Sequence, residues 1–280
     1  MVIGNIFLIL LGLIWIIFAV VQDLKRREIA NWLNFSLAIF ALAFRLFYSL
    51  FGGEGFAFFY QGVLGFGIFF IIGNLLYYGK VFAGGDAKLM ISLGAIIPFS
   101  ENLSMNMGSI LTFFLFFLVA GAFYGIVFGS ILGFKNKKKF AKEFSRQFKH
   151  GKKIFYLSAI LGIVLITLAF FEGIFLYLAI LVFVAPYIYF SAKSLDESCM
   201  IRKIDVKYLT EGDWLYKDIK IGRRMIKAKW SGLSKEEILF LKKKKKNVLI
   251  RQGIPFSPVF LISYLALMYF SIVQKFYLFY

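Results

Sequence analysis

The chain has few of the residues that build disulfides and zinc sites. It contains one cysteine, Cys199, and one histidine, His150. A single cysteine forms neither an intrachain disulfide nor a cysteine zinc cluster. His150 lies in a lysine-rich stretch, where a solvated side chain is much more common than a metal ligand. The sequence therefore predicts no metal and no cofactor.

Acidic residues are also scarce. The 280 residues include 15 Asp and Glu against 33 Lys and Arg, which gives a net charge of +18. Such a charge is compatible with either nucleic acid or a membrane surface as a partner. Hydrophobic residues make up 60% of the chain and include 37 Phe, far more than soluble domains of this length contain. We therefore expect a multi-pass protein of the cell membrane, with lipid and not nucleic acid as its partner.

Apolar runs along the chain are long enough to cross a bilayer about eight times. The expected number of crossings is between six and eight. The first run, 5–22, is followed by the basic residues Lys25, Arg26 and Arg27 and is not preceded by any. This order indicates an anchor with its N-terminus outside, and it excludes a cleaved signal peptide. The other predicted spans are 32–51, 56–78, 81–99, 107–134, 154–171, 174–190 and 255–273.

The distribution of charge agrees with this topology. If the spans alternate, the segments 23–31, 79–88, 135–153 and 192–255 lie on one side and hold 31 of the 33 Lys and Arg residues. Positively charged loops stay cytoplasmic, so this side is the cytoplasmic one. We expect the basic loops to lie against anionic headgroups.

The predicted fold class is all-α and polytopic, with a small α+β domain before the last helix. The domains are a membrane helical core over 1–191 with a basic cytoplasmic loop at 135–153, a cytoplasmic α+β domain over 192–255, and a final transmembrane helix over 256–280. Short strands are predicted in the second domain at 201–208, 214–221, 224–230 and 248–250. Ser234 and Glu237 form a capping box that opens a helix. So short a segment makes a marginal core, and we expect it to lean on the membrane part.

Two aspartates lie at the predicted cytoplasmic ends of spans. Asp23 ends the first span, and Asp86 opens the fourth directly after Gly84 and Gly85. An ionisable residue in a membrane segment is costly, which indicates a functional site. The two glycines let another backbone approach closely. Two acids held close share a proton, so that one can activate water while the other polarises a carbonyl. That is the chemistry of an aspartic protease.

Residue types alone leave other interpretations of these aspartates open. Asp23 is followed by three basic residues and could simply end a helix, and Asp86 could form a structural ion pair with Lys88. The same two acids could be the proton or cation site of a coupled membrane transporter. A non-enzymatic scaffold protein could use the basic cytoplasmic domain for docking.

The residues around both acids resemble the type IV prepilin and preflagellin peptidases, membrane aspartic proteases of the G-x-G-D class. The first context is Asp23 followed by Ile29-Ala30-Asn31, and the second is Ala83-Gly84-Gly85-Asp86-Ala87-Lys88-Leu89. Ala30 stands where the family has proline, and Ala83 where it has glycine. Segments 209–215, 232–237 and 253–256 look like the cytoplasmic domain and last helix of archaeal preflagellin peptidases, whereas 107–193 carries no family motif. The four-cysteine zinc loop of the bacterial members is missing, so the resemblance does not imply methylation of the product.

The resemblance implies an aspartic endopeptidase that removes the short basic leader from pilin-like or archaellin precursors. Asp23 and Asp86 would be the catalytic pair, and Gly84 and Gly85 would give the substrate backbone room. Because the cytoplasmic face is as basic as the expected leader, long-range attraction cannot bring the two together. We therefore predict that a local acidic patch binds the leader, with three substrate-binding candidates: Glu211, Asp213 and Asp218.

Overall fold

The computed structural model describes residues 2–52, 55–100, 102–222, 224–244 and 247–273. They form two compact units, which are described separately: Met1–Gly125 with Pro255–Tyr280, and Ile126–Ile254. The three-part division predicted from the sequence stays a prediction.

Helices dominate the described residues. In chain order they are α1 (Val2–Arg26), α2 (Asn31–Phe51), α3 (Ala57–Tyr78), α4 (Gly84–Leu93), α5 (Leu103–Lys135), α6 (Lys137–Leu168), α7 (Ile174–Cys199), α8 (Lys235–Lys244) and α9 (Ser257–Val273). Six of them are long and apolar enough to cross a membrane: α1 from Gly4 onward, α2, α3, α5, α6 and α7. The chain is therefore a multi-pass, mainly helical membrane protein, as predicted.

The helix predicted over 81–99 is wrong beyond its first half. α4 has 10 residues and ends at Leu93, so it is only about 15 Å long. Pro98 gives a physical reason, because a proline inside a helix clashes with the carbonyl four residues earlier, here that of Gly94. Residues 94–100 form turns and an irregular stretch, yet every one of them is buried.

A buried arginine on α2 binds the backbone of this irregular stretch. Arg45 is fully buried and donates to the carbonyl oxygens of Ala95 at 2.8 Å, Ile96 at 3.1 Å and Pro98, and to that of Phe58 at 2.9 Å. Non-helical backbone is tolerated at membrane depth only where protein groups satisfy it. The guanidinium therefore replaces the hydrogen bonds that α4 stops making.

The irregular stretch ends beside the start of α1. Asn5 donates to the carbonyl of Phe99 at 2.6 Å, and Asn106 bonds both the N–H and the carbonyl of Ser100. Asn5 and Asp23 are about 27 Å apart along α1, close to the ~30 Å thickness of the hydrocarbon layer. Since Asp86 lies at the Asp23 end, α4 and its irregular continuation together run the length of α1.

Glycines bring α3 close to its neighbours. A side chain at Gly62 would collide with Arg45, one at Gly65 with the carbonyl of Gly94, and one at Gly73 with Ile91. Small residues in an apolar helix let neighbouring helices approach closely, and three of the four glycines of α3 make such contacts. The fourth, Gly67, has nothing within 4 Å of its ideal Cβ position.

In the second unit, α6 and α7 pack side by side. The basic segment predicted as a loop over 135–153 is instead almost entirely helical, since α6 begins at Lys137 and continues without a break into its apolar part. Lys, Gln, Glu and Ala all favour helix, so the high charge of this segment is not evidence for a loop.

The small strand-containing region of this unit has an antiparallel sheet in the order β1-β5-β2, with β1 at Ile201–Asp205, β2 at Trp214–Leu215 and β5 at Asn247–Arg251. A separate hairpin joins β3 (Ile219–Ile221) to β4 (Arg224–Ile226). The single strand predicted over 214–221 is therefore two strands, each paired with a different partner. The side chains of Val206, Leu215, Leu241 and Val248 belong to the core of this region.

Both the capping box and the contact with a membrane helix are present. Ser234 N–H donates to Glu237 Oε2 at 3.0 Å, and Glu237 N–H donates to Ser234 Oγ at 3.3 Å. Arg251 on β5 pairs with Asp196 at 3.1 Å and with Glu197 at 2.9 Å, both near the end of α7. The strand-containing region thus leans on α7.

Candidate active site

Asp23 lies in the last turn of α1 and is buried, with 7% of its surface exposed. Its Oδ2 accepts a hydrogen bond of 3.2 Å from the backbone N–H of Ser257, the first residue of α9. The two residues are 234 positions apart. The end of α1 and the start of α9 therefore meet at this carboxylate.

Asp86 lies in the first turn of α4 and is partly exposed. It is close enough to Asp23 for the charge of Asp23 to act on it. The structure thus brings together the two acids singled out from the sequence. Two acids held close can share one proton, because like charges at short range do not both ionise cheaply. Water activation and carbonyl polarisation need that combination.

The two glycines before Asp86 already face parts of the chain. A Cβ at Gly85 would lie 3.2 Å from Cβ of Ile29 in the α1–α2 connection, and one at Gly84 would lie 3.7 Å from the Tyr77 ring. Asn34 of α2 donates to the carbonyl of Gly85 at 3.3 Å. The close approach that Gly85 permits is therefore made by Ile29 of the same chain.

Both departures from the family motif have an ordinary backbone conformation. Ala30 has φ −63° and ψ 136°, which is where proline fixes φ. Unlike proline, Ala30 also donates its N–H, to Gln22 Oε1 at 3.0 Å. Ala83 has φ −69° and ψ 161°, an extended conformation that needs no glycine. Neither alanine distorts the backbone next to the acids.

Lys88 points away from the acid pair. Its Nζ donates to Asn31 Oδ1 at 2.6 Å, and it lines a groove of about 380 Å³ between α2, α3 and α4 together with Gly84 and Ile91. Asp86 is two residues from both Gly84 and Lys88, which places it about 200° around the helix from them. The groove therefore belongs to the opposite face of α4.

The three residues of the predicted acidic patch have local partners in the second unit. Asp213 Oδ2 accepts from the Thr210 N–H at 2.8 Å, and Asp218 Oδ1 accepts from the Ala228 N–H at 2.7 Å. Glu211 is 3.5 Å from the ammonium of Lys235. Burial raises the pKa of the Asp213 carboxyl. These partners give the carboxylates roles in turns, and their role in substrate binding stays a prediction.

The sequence reasoning missed several residues that hold α4 in place. Asn31, Asn34 and Arg45 all point from α2 to α4 or its continuation. Ser92 of α4 in turn donates to the Asn34 carbonyl at 2.7 Å. Asn34 and Arg45 are buried polar residues in an apolar helix, which is a usable signal. No signal linked Ser257 to Asp23.

A multi-pass helical membrane protein with two adjacent aspartates, one of them after a glycine pair, is the arrangement expected of a membrane aspartic protease. Residues 10–129 match the model of the Type IV leader peptidase family, and this segment contains both Asp23 and Asp86. The similarity that the motifs indicated is thereby confirmed.

Three preflagellin peptidases of methanogenic archaea are similar to the chain. That of Methanococcus maripaludis is 29% identical over 151 residues, which cover 50% of this chain and 65% of the relative. That of Methanocaldococcus jannaschii is 32% identical over 105 residues, 37% of this chain and 44% of the relative. That of Methanococcus voltae is 34% identical over 88 residues, 31% of this chain and 37% of the relative. The chain thus spans less than two thirds of each relative's length. These peptidases give the transporter alternative no support.

Proposed function

We propose that this protein is an aspartic endopeptidase that removes the short basic leader from archaellin or pilin-like precursors. The observation that carries the proposal is the pair Asp23 and Asp86, brought together at one end of the first unit. The match to the Type IV leader peptidase family covers both residues. The names of the similar archaeal proteins supply the substrate class.

In the proposed reaction, the ionised aspartate removes a proton from water, and the water oxygen attacks the carbonyl carbon of the scissile peptide bond. The protonated aspartate donates a hydrogen bond to the carbonyl oxygen. Collapse of the tetrahedral intermediate breaks the C–N bond, and the leaving amine takes a proton from the pair. In this proposal Gly84 gives the substrate backbone room, whereas Ile29 already takes up the space beside Gly85.

We place the acid pair at the cytoplasmic face and the N-terminus outside. Asp23 is followed in the same turn by Lys25 and Arg26, and Asp86 is followed by Lys88. Positive charge next to a span stays cytoplasmic. These basic residues therefore support a cytoplasmic location for both acids.

We further propose eight crossings. Six are the long helices, the seventh is α4 with its irregular continuation, and the eighth is α9, whose 17 residues are at the short end of the range for a span. Single cysteines placed at Lys80 and Asn102 in a Cys199→Ser background test the seventh crossing. A membrane-impermeant thiol reagent should label them from opposite sides, and labelling from one side would refute it.

The activity is tested with membranes that contain the protein and a candidate archaellin precursor. Mass spectrometry should show the loss of a leader-length peptide from the precursor. Asp23→Asn and Asp86→Asn should each abolish this loss while the protein still inserts. Asp205→Asn, on β1, is the matched control and should retain activity. No cleavage of any archaellin or pilin precursor by the unmodified protein would overturn the proposal.

The acidic patch is tested with two precursors. If Glu211, Asp213 and Asp218 bind the leader, replacing them with Gln or Asn should slow cleavage of a precursor with a basic leader. Cleavage of a precursor whose leader lysines are neutral should change much less, and the difference should shrink as salt shortens the Debye length toward ~8 Å and below. Equal losses for both precursors would indicate that the strand-containing region had misfolded, and no loss would eliminate the patch.

A further inference from the structure

Asp23 occupies a position where its own helix disfavours a negative charge. It lies in the last turn of α1, at the negative end of the helix dipole, and it is buried. Carboxylates are stabilised at the opposite end of a helix, where backbone N–H groups have no intrahelical acceptor. An ionised Asp23 therefore needs a donor from another part of the fold.

The start of α9 supplies that donor. Ser257 is the first residue of α9, and its N–H lies 3.2 Å from Asp23 Oδ2. The Ser257 hydroxyl is fully buried and has no partner in the described part of the structure. The backbone N–H, and not the hydroxyl, therefore holds the carboxylate.

A second contact fixes where α9 lies along α1. Tyr264 Oη donates to the carbonyl of Ile9 at 3.2 Å. It packs so close to Gly12 that a Cβ there would lie 2.6 Å from the Tyr264 oxygen. The position of the Ser257 N–H beside Asp23 is thus set by side-chain packing along the helix pair.

We infer that the backbone N–H of Ser257, at the positive end of α9, is a positioning group for Asp23, orienting the carboxylate and favouring its ionised form in the acid pair. This inference rests on the proposed peptidase function. It adds a part of the chain outside residues 10–129, the segment that matches the family model. The last helix would then belong to the catalytic arrangement and not only to the membrane anchor.

Other charged and titratable groups also act at this position. Asp86 of α4 and the Tyr124 hydroxyl of α5 are within electrostatic reach of Asp23. Tyr124 is also within electrostatic reach of Arg27. A test must therefore change the Ser257 N–H and keep these three positions identical in the two variants that it compares.

Proline at residue 257 removes this donor and is compatible with the helix, because the first position of a helix accepts proline and its N–H has no intrahelical partner. Ser257→Ala removes the hydroxyl but keeps the N–H, so it is the reference for Ser257→Pro. The acidic limb of the kcat/KM profile should lie about one pH unit higher in the proline variant than in the alanine variant, because a lost hydrogen bond no longer favours the charged form. Identical limbs in the two variants would overturn the inference.

A second variant covers the case in which Ser257→Pro does not fold. Lactic acid introduced at position 257 by nonsense suppression replaces the alanine N–H with an ester oxygen and leaves the backbone path intact. In an Asp86→Asn background, infrared titration of the Asp23 carboxyl band then needs no peptidase activity. The ester should raise the titration midpoint relative to Ser257→Ala, and an unchanged midpoint would refute the inference. If the unmodified protein cleaves no precursor, the proposed function fails, but this titration still decides the role of the N–H.

Discussion

The strongest prediction about stability concerns Arg45, which we replace with methionine. Methionine has a similar length and no donors, so Arg45→Met breaks all the hydrogen bonds to the carbonyls of Phe58, Ala95, Ile96 and Pro98. Side-chain hydrogen bonds average about 0.6 kcal/mol in a membrane protein, and those to charged groups in soluble proteins are worth about 1.5 kcal/mol or more. Four such bonds give a loss of about 2 to 6 kcal/mol.

One effect opposes this loss, because Arg45→Met also removes the cost of burying a charge. The carbonyls of Ala95, Ile96 and Pro98 remain buried, however, and an unsatisfied buried carbonyl costs about 1–3 kcal/mol. We therefore expect the lost bonds to dominate.

The assay is thermal unfolding in detergent micelles, followed by tryptophan fluorescence. Arg45→Met should lower Tm by at least about 5 °C, since about 1 kcal/mol corresponds to a few degrees at this size. The Tm of Arg45→Lys should lie between those of the unmodified protein and Arg45→Met, because one ammonium group cannot reach four carbonyls. Arg202→Met, at an exposed position on β1, is the control and should leave Tm nearly unchanged. An unchanged Tm for Arg45→Met would refute the assigned role of the guanidinium.

Two further predictions concern helix packing and pH. Gly65→Ala should destabilise the first unit by roughly 1–3 kcal/mol through its clash with the Gly94 carbonyl, whereas Gly67→Ala should be neutral or slightly stabilising; equal effects in thermal unfolding would contradict the α3–α4 contact. The Ser234 N–H lowers the pKa of Glu237, so this carboxylate stabilises the start of α8 above the ordinary Glu pKa of about 4.3 and stops doing so as pH falls through its lower folded value. Glu237→Gln should therefore speed hydrogen exchange in the first turn of α8 at neutral pH but change it little at strongly acidic pH, and a pH-independent effect would refute this account.

The acid pair could be predicted because each aspartate interrupts an apolar run and has a motif beside it. The capping box at Ser234 and Glu237 was predictable for a similar reason, since its hydrogen bonds are local in sequence. The close contacts of Gly62, Gly65 and Gly73 followed from small residues in an apolar helix. In each case the signal lies within a few residues of the feature it predicts.

The remaining features depend on contacts that sequence patterns do not encode. Hydropathy cannot distinguish a buried helix from a buried irregular stretch, so the helix end at Leu93 was missed. Arg45 was visible as a polar residue in a span, but its partners are backbone carbonyls, which every residue has. The N–H of Ser257 meets Asp23 only because α9 packs beside α1. The helix through 137–153 was missed because charge was taken as a sign of a loop.

The central claim is that Asp23 and Asp86 act as one catalytic pair. It is tested most directly by measuring kcat/KM for precursor cleavage with Asp23→Asn, Asp86→Asn and the double variant. Groups that act as a unit give non-additive losses. The account predicts that each single variant loses nearly all activity and that the double variant loses no more. Substantial activity in either single variant, or losses that multiply in the double variant, would contradict it.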